Sequence, residues 1–261
     1  MPDDATLRVF LTGATSGLGE ALAQHYAAQG ATLGVFARRE AELERLAKRL
    51  SPATVATYAG DVRDAAALAA AARDFLSRFG APDIVIGNAG VSRGTLTHLA
   101  EDVPAFRAVF ETNVMGLVHT FQPFLQAMLD AKRGTLVGIA SVAGFRGIPG
   151  SGAYSGSKAA AIAYLESLRV ELRSSGVAVV TVCPGYIATP MTEKNPYRMP
   201  FLLAPDKAAR LIARAIARRK RFYVLPWPMA LTGRVLRVMP RWLFDRLFAR
   251  AKRKPRQPDV A

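Results

Sequence analysis

The stretch Leu7-Arg8-Val9-Phe10-Leu11-Thr12-Gly13-Ala14-Thr15-Ser16-Gly17-Leu18-Gly19 decides how this chain folds. Residues 7–11 form a short apolar run of the kind that makes a buried strand. Three glycines follow at 13, 17 and 19, and then a helical pattern over 20–29. A glycine-rich turn between a first strand and a helix suits a dinucleotide pyrophosphate. The glycines let the backbone approach the phosphates, and the helix N-terminus offers free N–H groups and a partial positive charge. The spacing is wider than G-x-G-x-x-G, and a plain strand-to-helix turn is the alternative.

Working outward, strands alternate with helices. Residues 31–37, 54–58, 83–86, 135–140, 177–182 and 222–225 read as strands. Helical patterns fill 40–50, 64–79, 103–131, 152–174 and 206–220. The long one is expected to bend at Pro123. This alternation predicts an α/β fold, a Rossmann-type doubly wound parallel sheet of about seven strands with right-handed crossovers. A chain of 261 residues is long enough for one large domain, here residues 1–226. Residues 227–261 form a basic, amphipathic helical tail.

Several strand ends carry chemistry. In NAD-binding folds an acid near the end of the second strand binds the ribose hydroxyls. Here the sequence is Val35-Phe36-Ala37-Arg38-Arg39, with no acid before Glu40. Cations are unfavourable at a helix N-terminus, so Arg38 and Arg39 point to a compensating 2′-phosphate; simple solvation is the alternative. Asn88-Ala89-Gly90 follows the fourth strand, where small residues leave room for a ligand. Asn113 falls mid-helix among Val109, Phe110, Val114 and Leu117, where an asparagine either is structurally satisfied or kinks the helix. Ser141 ends the fifth strand. Tyr154 and Lys158 lie four residues apart, on one face of a helix. An ammonium beside a phenol favours phenolate, so Lys158 is expected to lower the tyrosine from its usual ~10, making an acid/base for a carbonyl. A surface ion-and-ring pair is the alternative.

Other residues exclude functions. His25, His98 and His119 lack ligand spacing, so no metal site is expected. Cys183, the single cysteine, excludes an internal disulfide and fits a reducing, cytoplasmic compartment. It reads as a buried filler. The acidic N-terminus lacks the apolar core of a secretory signal. The net charge is +15, but 16 of the 35 Lys+Arg and only 3 of the 20 Asp+Glu fall in residues 206–261. The body is nearly neutral, which argues against a nucleic-acid-binding domain. The basic tail is set for an anionic partner or for solvent.

With these residues in view, the chain resembles the short-chain dehydrogenase/reductase family over about residues 7–190. Thr12-Gly13-x-x-x-Gly17-x-Gly19 looks like its cofactor turn, Asp61-Val62 its adenine-contacting pair, and Asn88-Ala89-Gly90 its Asn-Ala-Gly motif, although Gly87 stands where many members carry a second asparagine. Asn113, Ser141, Tyr154 and Lys158 match the catalytic tetrad, and Pro184-Gly185 with Thr189 the segment closing on the nicotinamide. The resemblance implies that Tyr154 is the general acid/base and that Ser141 hydrogen-bonds the substrate oxygen. It implies that Lys158 binds the ribose and tunes Tyr154, and that Asn113 holds a relay water. The turn residues Gly13, Thr15, Ser16, Gly17, Leu18 and Gly19, with Ile187 by its backbone, complete the cofactor contacts. A homodimer or homotetramer built on the long helices is also implied.

The expected function is an NADP(H)-dependent oxidoreductase interconverting a carbonyl and a secondary alcohol. The alternatives are an epimerase or dehydratase of the same fold, or a non-catalytic cofactor-binding scaffold. Residues 142–150, Tyr186 and the loop 191–203 are expected to wall the substrate. Phe145, Ile148, Met191, Met199, Phe201, Leu202 and Leu203 make that wall apolar, which suggests a lipophilic substrate; ordinary lid packing is the equal alternative. In the tail, Leu231, Val235, Val238, Trp242 and Phe248 recur at helical spacing, flanked by arginines, with a break near Pro240. Such a segment lies flat on an anionic membrane, here its cytoplasmic face, or else packs against another subunit.

Overall fold

Strand β1 (Arg8–Thr12) has a parallel neighbour on each side, β2 (Thr32–Ala37) and β4 (Ile84–Gly87). In the computed structural model, residues 6–193, 195–250 and 253–256 are described. Strands β3 (Val55–Ala59), β5 (Gly134–Ile139), β6 (Val177–Pro184) and β7 (Phe222–Leu225) complete one sheet. All seven strands run parallel in the order β3-β2-β1-β4-β5-β6-β7. The doubly wound Rossmann-type sheet expected from the alternation is therefore present. The order reverses between β1 and β4, which opens a crevice at the C-terminal ends of those strands.

Alternate strand residues face opposite layers. Val9, Leu11, Leu33, Val35, Val180 and Val182 share one cluster. It is covered by α1 (Gly17–Ala27), α2 (Glu40–Arg49) and α8 (Pro205–Ala217) through Leu22, Leu46 and Ile212. Phe10, Phe36, Val85 and Leu136 enter the other cluster. There α3 (Ala65–Phe79), α5 (Gly116–Asp130) and α6 (Gly152–Glu171) supply Phe75, Phe121 and Leu165. Burial on both faces explains why the strands read as continuous apolar runs rather than alternating ones.

The long helical stretch departs from expectation. It divides into α4 (Val103–Phe110) and α5, joined through a π-helical turn, Glu111–Met115, while Pro123 lies inside continuous helix. The break belongs to Asn113. Its amide turns away from the helix to the backbone of Val91, accepting from the N–H at 2.8 Å and donating to the carbonyl at 2.9 Å. A local widening frees the side chain for that long-range partner.

After α7 (Pro190–Glu193) and α8, the chain ends in α9 (Trp227–Val238) and α10 (Arg241–Phe248), separated at Pro240. Met229 and Phe244 turn inward and are buried. Gly233 lets α9 approach the ring of Phe145, which a Cβ would meet at 2.5 Å. Arg146 holds both helices, donating to the Met239 carbonyl at 3.0 Å and lying 4.3 Å over the Phe244 ring. Of the basic run 252–254, Lys252 lies outside the described residues, as does the N-terminal segment 1–5.

Candidate active site

Every residue assigned to the cofactor from sequence lines one cleft of about 330 Å³ at the C-terminal edge of the sheet. Its floor is the turn after β1. Gly13 and Gly17 sit at φ +69 and +57, a left-handed conformation that favours glycine. Gly19 has no room for a side chain: a Cβ there would lie 2.0 Å from the Gly13 carbonyl oxygen. The N-cap of α1, Ser16, makes no side-chain cap, so the helix presents uncapped N–H groups to the cleft.

Two residues hold this turn. The Asn88 amide donates to the carbonyls of Thr12 and Gly13, both at 3.1 Å. The Thr12 hydroxyl accepts from the N–H of Asn88 at 3.2 Å and of Ala89 at 3.3 Å. Asn88 thus acts through the turn as well as at the cleft wall. The sequence pattern includes Thr12 in the cofactor turn, but its hold on the backbone of Asn88 and Ala89 is visible only in the tertiary structure. The departure at Gly87 also has a packing reason, since a Cβ there would meet Leu117 Cδ1 at 2.2 Å.

At the far end of the cleft, Ala37 is buried while Arg38 and Arg39 are exposed. Neither arginine forms an ion pair within the described residues. Asp61 is gripped by Arg63 through a 2.8 Å ion pair and a 2.9 Å backbone bond. Burial opposes its charge, but these contacts hold the carboxyl below the usual range. Val62 is fixed by its carbonyl, which accepts from His119 Nδ1 at 3.0 Å, a contact unforeseen from sequence.

At the near end, β5 delivers Ser141 and the first turns of α6 deliver Tyr154 and Lys158, all lining the cleft. Ser141 hydrogen-bonds the Tyr154 phenol. Burial nevertheless raises Tyr154 above its ordinary value, contrary to the lowering expected from its lysine neighbour. The reason is geometric. Lys158 Nζ donates to the Ile139 carbonyl at 2.8 Å and stands 5.9 Å from the Tyr154 ring centroid. Burial brings Lys158 itself down to about 8. Asn113 does not line the cleft. It donates to Ser157 Oγ at 2.9 Å and flanks Gly90, where a Cβ would lie 3.2 Å from its Oδ1 and 3.5 Å from Lys158 Nζ.

Pro184, Gly185, Ile187 and Thr189 form the opposite wall. Thr189 approaches so closely that a Cβ on Gly17 would meet its Cγ2 at 2.9 Å. A bridge between Ile187 and Leu203 ties the base of the loop that follows. Of the expected substrate wall, Met191 lines the cleft, and Phe201 and Leu202 are exposed. Phe145 and Leu203 depart from expectation: Phe145 packs on α9 and Leu203 joins the core, because partners distant in sequence take their apolar surface. Cys183 is buried, its thiol pushed up to about 12, as suits a filler. No group of three potential metal ligands occurs among the described residues.

The cleft fits a nicotinamide dinucleotide. Its cradle would be filled by any Cβ at Gly19, and its two exposed arginines make no direct ion pair within the described residues, although Arg38 helps hold the Asp61 carboxyl down. Comparison with known proteins agrees. The short chain dehydrogenase family model matches residues 8–199. An uncharacterized oxidoreductase of Myxococcus xanthus is 38% identical over 90% of this chain and 93% of its own length. Dehydrogenase/reductase SDR family member 7B of Bos taurus is 33% identical over 95% and 82%. An 11-beta-hydroxysteroid dehydrogenase 1A of Arabidopsis thaliana is 35% identical over 71% and 53%. Among solved structures, a short chain dehydrogenase/reductase from Burkholderia phymatum in complex with NAD superposes with TM-score 0.81 at 28% identity over both whole chains. An alcohol dehydrogenase from Thermococcus sibiricus complexed with 5-hydroxy-NADP gives 0.74 at 28% identity, over 84% of this chain and 95% of that one. A single parallel sheet, the glycine turn at its switch point and a sequence match over most of its length make this chain an oxidoreductase of the short-chain dehydrogenase family.

Proposed function

We propose that the protein is an NADP(H)-dependent reductase or dehydrogenase interconverting a lipophilic carbonyl compound and its secondary alcohol. The observation that carries this is the meeting of Ser141, Tyr154 and Lys158 at one end of a cleft whose other end holds Arg38 and Arg39. A bound nicotinamide cofactor supplies or accepts the hydride. Tyr154 gives its phenolic proton to the carbonyl oxygen and takes it back in the reverse direction. The raised pKa keeps that proton in place at neutral pH, the form needed for reduction. Ser141 donates to the same oxygen as charge develops. Lys158 would hold the ribose hydroxyls of the bound cofactor, and Asn113, which grips the Val91 backbone, would support a relay water from behind the cleft wall.

NADPH consumption over ketones of graded chain length tests the activity. Stoichiometric oxidation, rising with chain length, is the expected result. Turnover without net cofactor consumption would mean epimerisation or dehydration, and a preference for small polar ketones would defeat the lipophilic assignment.

The tail 227–261 serves in this reading as a contact for an anionic lipid surface. Trp227, Leu231, Val235, Val238, Trp242 and Leu247 are all exposed. Arg234, Arg237, Arg241, Arg246 and Arg250 are exposed in the same segment. An apolar face with a cationic border matches a headgroup interface in both parts. None of the described helices is long and apolar enough to cross a membrane, so contact would be peripheral, on the cytoplasmic side that the lone cysteine favours. A homo-oligomer would use other surface, where Phe106, Met115 and Val170 leave apolar side chains exposed. In vesicle co-sedimentation the protein should bind phosphatidylglycerol-containing but not purely zwitterionic vesicles at low salt. Trp227→Ser with Trp242→Ser should weaken this by about tenfold or more. If the tryptophan variant instead splits an oligomer and no vesicle binding occurs, the face is a subunit interface.

A further inference from the structure

Beyond α10 the segment Arg253 to Arg256 packs against the strip 92–95, which follows the cleft residues Gly90 and Val91. Arg256 bridges Gly94, and Thr95 bridges Ser151, the residue before α6. The strip 92–95 therefore lies between the tail and the helix carrying Tyr154. Two glycines make room for the tail: a Cβ on Gly94 would lie 2.5 Å from the Lys254 and Pro255 carbonyl oxygens, and one on Gly150 would lie 2.8 Å from Arg253 Cβ.

Arg256 anchors the segment. It makes bonds of 3.0 Å to each oxygen of buried Asp102 and a third of 3.0 Å to Glu101. Those two carboxylates are thereby taken. Lys254 is left otherwise: it is only 8% exposed, and its Nζ donates to Ser92 Oγ at 2.9 Å. No carboxylate pairs with it among the described residues. A buried ammonium has three donors to satisfy and a charge to compensate, and one neutral hydroxyl does neither. Burial accordingly lowers its pKa. Ser92 directly follows Val91, which lines the cleft beside Gly90.

We infer that Lys254, with Ser92, is an anion subsite beside the cleft, next to Val91, taking a carboxylate or a phosphate monoester carried by the carbonyl substrate. The inference rests on the reduction proposed at Tyr154, and it narrows the substrate from any lipophilic ketone to an amphiphilic one with a single anionic end.

Two measurements on the full chain test it. In calorimetry, hexanoate and hexyl phosphate, used below micellar concentrations, should bind the NADP-loaded protein, and hexanol should not. Lys254→Met should weaken the preferred anion by roughly tenfold to a hundredfold, the factor of a charge-assisted hydrogen bond, and Lys254→Arg should restore most of it. Comparing the two anions identifies the headgroup. In turnover, straight-chain oxo acids and oxoalkyl phosphates should exceed the matching methyl esters by a similar factor in kcat/KM, and Lys254→Met should erase that difference while the esters stay within about twofold. Equal binding of hexanol and both anions, or an anion preference that survives Lys254→Met, overturns the subsite. Absence of all NADPH-linked turnover with anion binding intact would instead overturn the reductase reading.

Discussion

Tyr154→Phe should reduce kcat by about 10²- to 10⁴-fold, the range by which a positioned general acid/base accelerates proton transfer. The substitution removes one oxygen. The ring keeps its place at the start of α6, and among the described residues the hydroxyl's partner to lose is the Ser141 side chain. Stability should therefore change by only about 1 kcal/mol, the usual worth of one hydrogen bond. Cofactor affinity should stay within a few-fold, because the turn at Gly13–Gly19 and Lys158 are untouched. Stopped-flow single-turnover rates with NADPH, and cofactor binding by fluorescence, separate these quantities. Wild-type single-turnover rates in the phenylalanine protein would show that another group moves the proton. A loss confined to NADPH binding would make Tyr154 a cofactor-positioning residue.

Ala37→Asp combined with Arg38→Leu should reverse the coenzyme preference from NADPH to NADH. Ala37 ends β2 with its side chain buried at the cleft, and Arg38 follows at the exposed rim. A guanidinium meets a 2′-phosphate through paired charge-assisted bonds, each worth about 1.5–3 kcal/mol. A carboxylate at 37 would repel that phosphate and accept from free ribose hydroxyls instead. At 1.4 kcal/mol per factor of ten, the NADPH/NADH ratio of kcat/KM should fall by roughly 10²–10⁴-fold. Arg39→Leu alone should produce a smaller shift in the same direction. Near-equal affinities for NADPH and NADH in the unmodified protein would remove the basis for the 2′-phosphate assignment. The solved relatives leave this choice open, one holding NAD and the other 5-hydroxy-NADP.

Much of this molecule is legible along the chain because the responsible forces are local. A run of apolar residues, a glycine turn with positive φ and an uncapped helix start lie within thirteen residues of one another, so their spacing alone identifies the phosphate cradle. Alternation of strand and helix then implies a parallel sheet, and the sheet brings Ser141 to the same cleft as Tyr154 and Lys158. The i,i+4 interval of the last two places them on one helix face in any context.

Other features depend on partners far away in sequence. Asn113 opens a π turn because Val91, 22 residues earlier, offers both of its backbone groups. Pro123, the obvious local breaker, is accommodated within helix. Lys158 turns to the Ile139 carbonyl, 19 residues away, and the surrounding burial reverses the expected direction at Tyr154. Phe145 leaves the substrate wall because Gly233 admits its ring. Arg256 reaches Asp102 across 154 residues, leaving Lys254 buried without a carboxylate among the described residues. Sequence by itself determined the fold, the cleft and which residue types meet there, since propensity, turn geometry and helix spacing act over a few residues. Tertiary structure alone decided what each side chain touches and what charge it prefers, because desolvation and hydrogen bonding are set by every element packed around a group.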